Sequence, residues 1–502
     1  MEHSWTPLNK PEQLVAYSAK DISPYLCLMR SGAIQLLISL LLIAGIVVIL
    51  FFFLFKGGNV TNKEFWRISL GLFIVVLVVL NLRPHWSIEK KHRRFFEELL
   101  AETDQPLQQK LFDNAAINDV SSSYRTFSKL IAGSFHGSVT GNNSVEIITD
   151  GHRKYELLLQ DLENAKESIN MEYYHFGADK GSRAVRDMLI KKAREGVKVK
   201  FINENIANFP IGHRYYKSMK NGGVEVIRFT GIRHLVGDFL SKLNYRNHRK
   251  IVVIDGKIGY TGGMNINDHY FRQWRDTHLR IEGDAVASLQ LIFLNSWVIS
   301  GGKREEPYPF YFPEPEHKDG GKLVQIISDE PGLDFHPIET SYQWALIHAK
   351  EYFFIQTPYF VPSKPVLSAL KAAASSGVDV RIMIPAKADT FFMGPANKSF
   401  FRECLSSGIR IFLREGEFMH AKTFVSDDYL SSVGTANMDN RSFTLNYEDN
   451  AYLYDRELAL ECKSIFEKDM QQCREITLEE VYAWKWYQRF PQWLIRQAAP
   501  LL

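Results

Sequence analysis

The sequence predicts an α/β protein: two α/β sandwich halves related by a pseudo-twofold axis, preceded by an N-terminal transmembrane helical hairpin. Three observations predict it. One five-residue constellation occurs twice, 172 positions apart. Strand-like and helix-like segments run in the same order around both copies, and two long apolar runs lie within the first 82 residues.

The N-terminus comes first. Residues 1–32 form a segment placed in the cytoplasm, and Ala33 to Phe55 is a 23-residue run without charge. That length crosses a bilayer core of about 30 Å. A second apolar run, Ile68–Leu82, reaches spanning length with Phe65 and Trp66 in front, so the second predicted span is 65–82. Arg67, at its end, can snorkel. The first run starts too late for a signal peptide and no small-residue cleavage site follows it. Arg83, Lys90, Lys91, Arg93 and Arg94 follow the second span, and Lys10, Lys20 and Arg30 precede the first. The connector holds only Lys56 and Lys63, so the positive-inside rule puts both ends in the cytoplasm.

A charged linker, 83–140, leads to the body. The Pro-rich stretch 303–322 divides it into a first half, 141–302, and a second, 323–502. Each half opens with a helix-like segment ending in Ala-Lys-Glu, at Ala165 and at Ala349. Strand-like runs follow, Ile169–Tyr174 and Tyr352–Gln356, and then a helix. Ser182 is the expected cap of the first such helix, and Ser363 with Pro365 suits the second. Gly196 and Gly377 stop these helices before the β-branched runs Val197–Ile202 and Val378–Ile384. Strands alternating with helices imply the sandwich, and two halves facing each other would bring both motif copies to one cleft.

The repeated set reads His248, Lys250, Asp255, Gly262, Asn265 and then His420, Lys422, Asp427, Gly434, Asn437. Five fixed positions match by chance on the order of once in 10⁶–10⁷ start points. Alone, a histidine on a strand is usually structural and an Asp-Gly is usually a turn. Repetition reverses that reading. His and Lys two apart share one face of a strand. Lys250, Lys422, Asn265 and Asn437 are donors suited to a phosphate's non-bridging oxygens. One histidine can attack phosphorus while the other protonates the leaving alcohol. A carboxylate lies 28 residues after each histidine, Asp276 and Glu448, able to hold the far imidazole nitrogen. Asp255 and Asp427 count with the catalytic motif by repetition, but at turns they brace the fold or pair the lysines rather than touch substrate. Gly262 and Gly434 remove a side chain where backbone passes close to ligand or partner strand. A metal site fits less well, since a lysine stands where a third ligand is needed, and no metal or cofactor is expected.

These segments resemble the duplicated H-x-K-x4-D motifs of the phospholipase D superfamily, and their surroundings resemble bacterial cardiolipin synthases. The likeness lies in Tyr260–Asn265 (YTGGMN), Trp274–Gly283 (WRDTHLRIEG), Thr357–Pro362 (TPYFVP), His420–Thr423 (HAKT) and Gly434–Phe443 (GTANMDNRSF), and covers roughly 141–502. Where the superfamily commonly has Ser after the motif glycine, this chain has Gly263 and Thr435. The resemblance implies metal-free, ping-pong transphosphatidylation of two phosphatidylglycerol molecules into cardiolipin and glycerol, with His248 as nucleophile and His420 as acid/base. It implies a bacterial cell-membrane enzyme, and the flanking charges place its catalytic halves on the cytoplasmic side. A phospholipase D-type hydrolase releasing phosphatidic acid would use the same residues.

Composition bounds the rest. A net charge of +3 on 502 residues argues against a nucleic-acid partner. Four scattered cysteines, Cys27, Cys404, Cys462 and Cys473, read as free thiols. The C-terminal segment Val481–Leu502 mixes Tyr482, Trp484, Trp486, Tyr487, Phe490 and Trp493 with Lys485, Arg489 and Arg496, which suits either a membrane interface or a packed helix. The sequence leaves an oligomer open.

Overall fold

The computed structural model describes residues 84–132, 137–229, 245–314, 321–333, 335–497 and 499. The predicted spans 33–55 and 65–82 lie outside them, and among the described residues no helix is long and apolar enough to cross a membrane. The chain divides into two units. The described part of the smaller is the helix Pro84–Glu102, and the larger unit holds both halves.

In the first half the strands are β1 Val139–Ile148, β2 Ser168–Tyr173, β3 Lys198–Glu204, β4 Glu225–Phe229, β5 Arg246–Asn247, β6 Lys250–Ile254, β7 Ile258–Gly262, β8 Trp274–Arg275 and β9 His278–Gly283. In the second they are β10 Lys322–Asp329, β11 Tyr352–Gln356, β12 Phe360–Val361, β13 Asp379–Pro385, β14 Arg410–Arg414, β15 Phe418–Met419, β16 Thr423–Ser426, β17 Leu430–Gly434, β18 Met438–Asp439, β19 Asn446–Tyr454 and β20 Cys473–Ile476.

One large mixed sheet contains most of them. From its middle it runs β1-β9-β7-β6-β2-β3-β4 through the first half and β10-β19-β17-β16-β11-β13-β14-β20 through the second. Antiparallel β1 and β10 form the seam. The halves are therefore joined edge to edge, rather than facing each other as two separate sandwiches. Strands β2, β3 and β4, like β11, β13 and β14, are parallel and need helical crossovers, which supplies the expected alternation.

Helices cover both faces, so the strands read as near-continuous apolar runs. On β6, Val252 and Ile254 face the core of the first half, while Ile251 and Val253 face a cluster shared with Val324, Val433 and Leu453. The helix Ala285–Ile299 is apolar nearly all round because it lies within this shared layer.

Local signals were met in part. Ser363 caps Lys364–Ser375 through the Val366 amide at 3.4 Å, with Pro365 in the first turn. Lys180–Arg194 is capped by Asp179, not Ser182. The Asp179 carboxylate accepts from the Ser182 amide at 3.0 Å and from its hydroxyl at 2.7 Å, so the stronger acceptor takes the cap and the serine becomes its donor. The segment 83–140 is more than a linker. It folds as Pro84–Glu102, Gln105–Phe112, a 3₁₀ turn Ala115–Asp119 and Ser122–Ala132. The last buries Phe127 against Trp344, with ring centroids 4.7 Å apart.

Arg249, between His248 and Lys250, points the other way and is fully buried. It donates to the Glu448 carbonyl at 3.2 Å, Ser296 Oγ at 3.0 Å and Glu330 Oε1 at 3.0 Å, tying the first half to the second. Arg249→Met breaks that buried network and is expected to cost about 3–5 kcal/mol, lowering Tm by about 10 °C in thermal unfolding.

Candidate active site

The sheet delivers both motifs to one place. Lys250 pairs with Tyr173 at the C-terminal end of β2, and Thr423, after Lys422, pairs with Gln356 at the end of β11. Sites at the carboxyl ends of parallel strands are the rule in open α/β sheets.

Two short pairings then cross between the halves. Residues just before His248 (β5) run parallel to Asn446 and Tyr447, and residues just before His420 (β15) run parallel to Trp274 and Arg275. The His248 amide donates to the Tyr447 carbonyl at 2.9 Å, and the His420 amide to the Arg275 carbonyl at 2.8 Å. Each histidine is thereby set beside the carboxylate of the opposite half. His248 Nδ1 lies 2.9 Å from Glu448 Oε2, and His420 Nδ1 lies 2.7 Å from Asp276 Oδ2. Spacing alone leaves open which carboxylate serves which histidine; the strands cross them between the halves.

Both carboxylates are fully buried and locked. Glu448 accepts from Thr435 Oγ1 at 2.6 Å and Asn446 Nδ2 at 3.0 Å. Asp276 accepts from the Thr277 amide at 2.7 Å. A Cβ on Gly263 would stand 2.0 Å from Asp276 Oδ1, so the carboxylate occupies the volume a side chain would need. That explains why glycine stands opposite Thr435. Cβ atoms on Gly262 and Gly434 would likewise strike the partner strand, at His278 Cα (2.7 Å) and Asn450 Oδ1 (2.0 Å).

Charges set the tautomers. Burial would raise Asp276, but Lys422 and His420 outweigh it and hold it below the ordinary value. Against the same burial, His248 and Lys250 hold Glu448 low. Burial takes His248 down to about 4 and His420 to about 3, with Lys250 and Lys422 adding to the effect. Neutral imidazole beside an ionised carboxylate donates from Nδ1 and keeps its lone pair on Nε2.

The lysines complete the cluster. Lys250 Nζ donates to the His248 carbonyl at 2.6 Å. Lys422 Nζ donates to the His420 carbonyl and lies 2.8 Å from His420 Nδ1 and 3.2 Å from Nε2. Burial lowers Lys250 to about 7 and Lys422 to about 8. Lys422 acts electrostatically on His248, and Lys250 on His420, so the two imidazoles and two lysines share one pocket. Asn265 Nδ2 donates to Tyr270 Oη at 2.8 Å, and its Oδ1 accepts from the His175 amide at 3.0 Å. Asn437 keeps a buried side-chain oxygen with no hydrogen-bond partner among the described residues.

The aspartates are a correction. Asp255 accepts from the amides of Lys166, Glu167 and Ser168 at 2.7–2.8 Å, and Asp427 from those of Lys350, Glu351 and Tyr352 at 2.9–3.1 Å. Asp255 follows β6 and Lys250 begins it, so about 17 Å of strand separates them. They brace turns at positive φ, pair no lysine among the described residues and stand outside the catalytic group.

Several site residues escape a reading based on repetition, because they are not repeated. Tyr174 meets the His248 ring edge-on at 4.8 Å, while Tyr270 Oη lies 3.3–3.4 Å from the ring nitrogens of His420. Trp274 adds a wall 5.1 Å from the His420 ring. Behind Asp276 lie Lys154 and His278, both fully buried. Lys154 Nζ donates to Tyr173 Oη at 2.9 Å and the Met264 carbonyl at 3.3 Å. Neither ring nitrogen of His278 has a hydrogen-bond partner among the described residues. Ile338 and Asn450 hold the equivalent places in the second half.

Burial lowers Lys154 to about 7, against about 10.4 in an unfolded chain. A depressed pKa means the unfolded state binds more protons, so stability climbs as pH rises from about 7 toward 10.4, a penalty on the order of 4 kcal/mol at pH 7. Lys154→Met is therefore expected to raise Tm by several degrees at pH 7 and to flatten its rise toward pH 9.5 in calorimetry.

Comparison with known proteins decides the family. A family profile described as "Cardiolipin synthase, PLD-like domain" matches residues 158–297 and 344–470. The chain is 34% identical to the major cardiolipin synthase ClsA of Bacillus subtilis (strain 168), over 93% of this chain and 99% of that one. The chain belongs to the cardiolipin synthase family. Cardiolipin synthase 1 of Staphylococcus epidermidis (strain ATCC 12228 / FDA PCI 1200) is also 34% identical, over 90% of this chain and 96% of its own. Cardiolipin synthase 1 of Bacillus anthracis is 33% identical over 99% of this chain and all of its own. Among solved structures, the phosphatidylserine synthase of Haemophilus influenzae Rd KW20 shares the fold, with a TM-score of 0.54 at 14% identity over 71% of this chain and 95% of that one. The matched family segments contain both histidines, both lysines and both crossed carboxylates.

Proposed function

We propose that this chain is a phosphatidyltransferase that joins two phosphatidylglycerol molecules into cardiolipin and releases glycerol. The observation that carries the reading is the crossed His–carboxylate pair, which puts two neutral imidazoles and two lysines in one buried pocket. Lys250, Lys422 and the side-chain amides of Asn265 and Asn437 would hold the non-bridging phosphate oxygens.

His248 Nε2 attacks phosphorus, and the bond from phosphorus to the glycerol oxygen breaks. His420, as imidazolium, gives its Nε2 proton to the departing oxygen. The phosphodiester's own negative charge favours that imidazolium once it sits against the ring. A phosphatidyl-histidine remains. The free glycerol hydroxyl of a second phosphatidylglycerol gives its proton to His420 and attacks the same phosphorus, the P–N bond breaks, and cardiolipin leaves. His248 suits the nucleophile because its ring neighbour is the Tyr174 ring, whereas Tyr270 Oη and Lys422 Nζ lie close to both ring nitrogens of His420 and suit proton transfer. Burial of both rings favours a lipid hydroxyl over bulk water in the second step.

The repeated strand order supports a pseudo-twofold relation between the halves. The flanking charges support an N-terminal membrane hairpin that holds both halves on the cytoplasmic side. Incubating detergent-purified protein with phosphatidylglycerol alone tests the reaction. The expected products are cardiolipin and glycerol in equal amounts; phosphatidic acid in their place would establish the hydrolase instead.

A further inference from the structure

The C-terminal helix Trp486–Gln497 lies on the protein the wrong way round for a packed helix. Trp486, Phe490 and Trp493 fall on one face at helical spacing and are 78%, 55% and 59% exposed. The opposite face holds the helix down. Ile495 packs against the core of the second half, and Arg496 donates to the Ser399 carbonyl at 2.7 Å and Glu403 Oε2 at 2.6 Å. Exposed Lys485 and Arg489 flank the aromatics.

The same surface continues toward the catalytic pocket. The helix packs on Met393–Lys398, and the turn before that segment carries Phe391, 98% exposed. Two residues earlier, Asp389 accepts from Tyr359 Oη at 2.6 Å, and Tyr359 interacts electrostatically with Tyr270 and Tyr174 beside the two histidines. At the helix's other end the Ala499 carbonyl accepts from Asn440 at 3.0 Å, three residues after Asn437.

We infer that Phe391 and the outer face of Trp486–Gln497 insert into the headgroup region of an anionic bilayer, seating the pocket at the lipid surface. Aromatic side chains with cations at their margin are what such an interface takes: rings at headgroup depth, Lys485 and Arg489 against lipid phosphates. The other candidate for an exposed apolar face is a second copy of this chain, but a flanking pair of like charges opposes self-association and complements an anionic lipid. The inference rests on the lipid reading of the site only for its purpose; insertion itself can be measured without turnover.

The full chain reconstituted in vesicles of acyl-brominated phosphatidylcholine mixed with an anionic phospholipid provides the test. The emission of Trp486 and Trp493 is isolated as the difference from Trp486→Phe/Trp493→Phe. It is expected to fall about twofold relative to unbrominated vesicles, as ring contact with the upper acyl chains requires. Equal emission in both vesicles overturns the inference, as does a dimer in sedimentation that the same substitutions dissociate. A second arm uses Phe391→Ser/Phe490→Ser/Trp493→Ser. Cardiolipin formation from vesicle-borne phosphatidylglycerol should drop about tenfold, while formation from monomeric short-chain phosphatidylglycerol stays within about twofold. Equal rates on vesicles, or equal loss on both substrates, contradict it. If the wild type makes no cardiolipin from either substrate, the functional reading fails while the quenching still decides insertion.

Discussion

His248→Asn should lose about 10⁴-fold or more of turnover and form no covalent intermediate. His420→Asn should lose comparably on phosphatidylglycerol, but for another reason: its nucleophile is intact and only the proton donor is missing. A phosphatidyl ester of p-nitrophenol separates the two, because a good leaving group departs without protonation. On that substrate His420→Asn should release p-nitrophenol in a burst of about one equivalent and then stall, while His248→Asn releases none. The order follows from surroundings rather than position. His248 has the Tyr174 ring beside it, whereas His420 has Lys422 Nζ at 2.8–3.2 Å and Tyr270 Oη at 3.3–3.4 Å from its ring nitrogens. A burst from His248→Asn and none from His420→Asn would reverse the assignment.

Glu448→Gln should have the second largest effect, and it should act across the halves. The ionised carboxylate accepts the His248 Nδ1 proton at 2.9 Å and so leaves the lone pair on Nε2. A glutamine amide in that place can donate its N–H to Nδ1. The imidazole proton then moves to Nε2, and the nucleophile has no lone pair for phosphorus. Packing is preserved: with its nitrogen in the Oε2 place, the glutamine keeps an oxygen for Asn446 Nδ2, and the Thr435 hydroxyl turns to the Asp449 carbonyl and accepts from the new amide. A fall of about 10³–10⁴ in kcat with little change in KM is expected, read from steady-state cardiolipin formation. Asp276→Asn should instead slow the steps that use His420, and so leave the p-nitrophenol burst largely in place. Were Glu448→Gln to spare kcat, the crossed pairing would carry no chemistry.

What the sequence made legible is what it repeats. His248, Lys250, His420 and Lys422 could be found because the same chemistry is written twice, and the alternating strands around them gave the α/β class. The pairing of each histidine with its carboxylate was not legible. It depends on β5 meeting β19 and β15 meeting β8, contacts between residues 144 to 200 positions apart that no local spacing encodes. Edge-to-edge joining at β1 and β10 was hidden for a related reason, since strand patterns show which faces are buried but not which edges meet. Tyr174, Tyr270, Trp274, Lys154 and His278 were missed because a search for repetition passes over what differs between the halves. Those differences separate two otherwise equivalent histidines. The helix Ser122–Ala132 is hidden in a charged linker because Tyr124, Phe127 and Ile131 are sparse among polar neighbours, and only packing on the second half shows their use. Asp255 and Asp427 matched the motif yet serve the backbone, so repetition marks importance without distinguishing chemistry from scaffold.

The central claim is that a phosphatidyl group passes through His248. The most direct test is to quench the wild-type protein during turnover of phosphatidylglycerol labelled at phosphorus, digest it under alkaline conditions and locate the label by mass spectrometry. The account predicts an acid-labile phosphatidyl adduct on the peptide containing His248, chased into cardiolipin by added phosphatidylglycerol. Label on His420, or turnover to cardiolipin with no protein-bound phosphorus at any time, would contradict it.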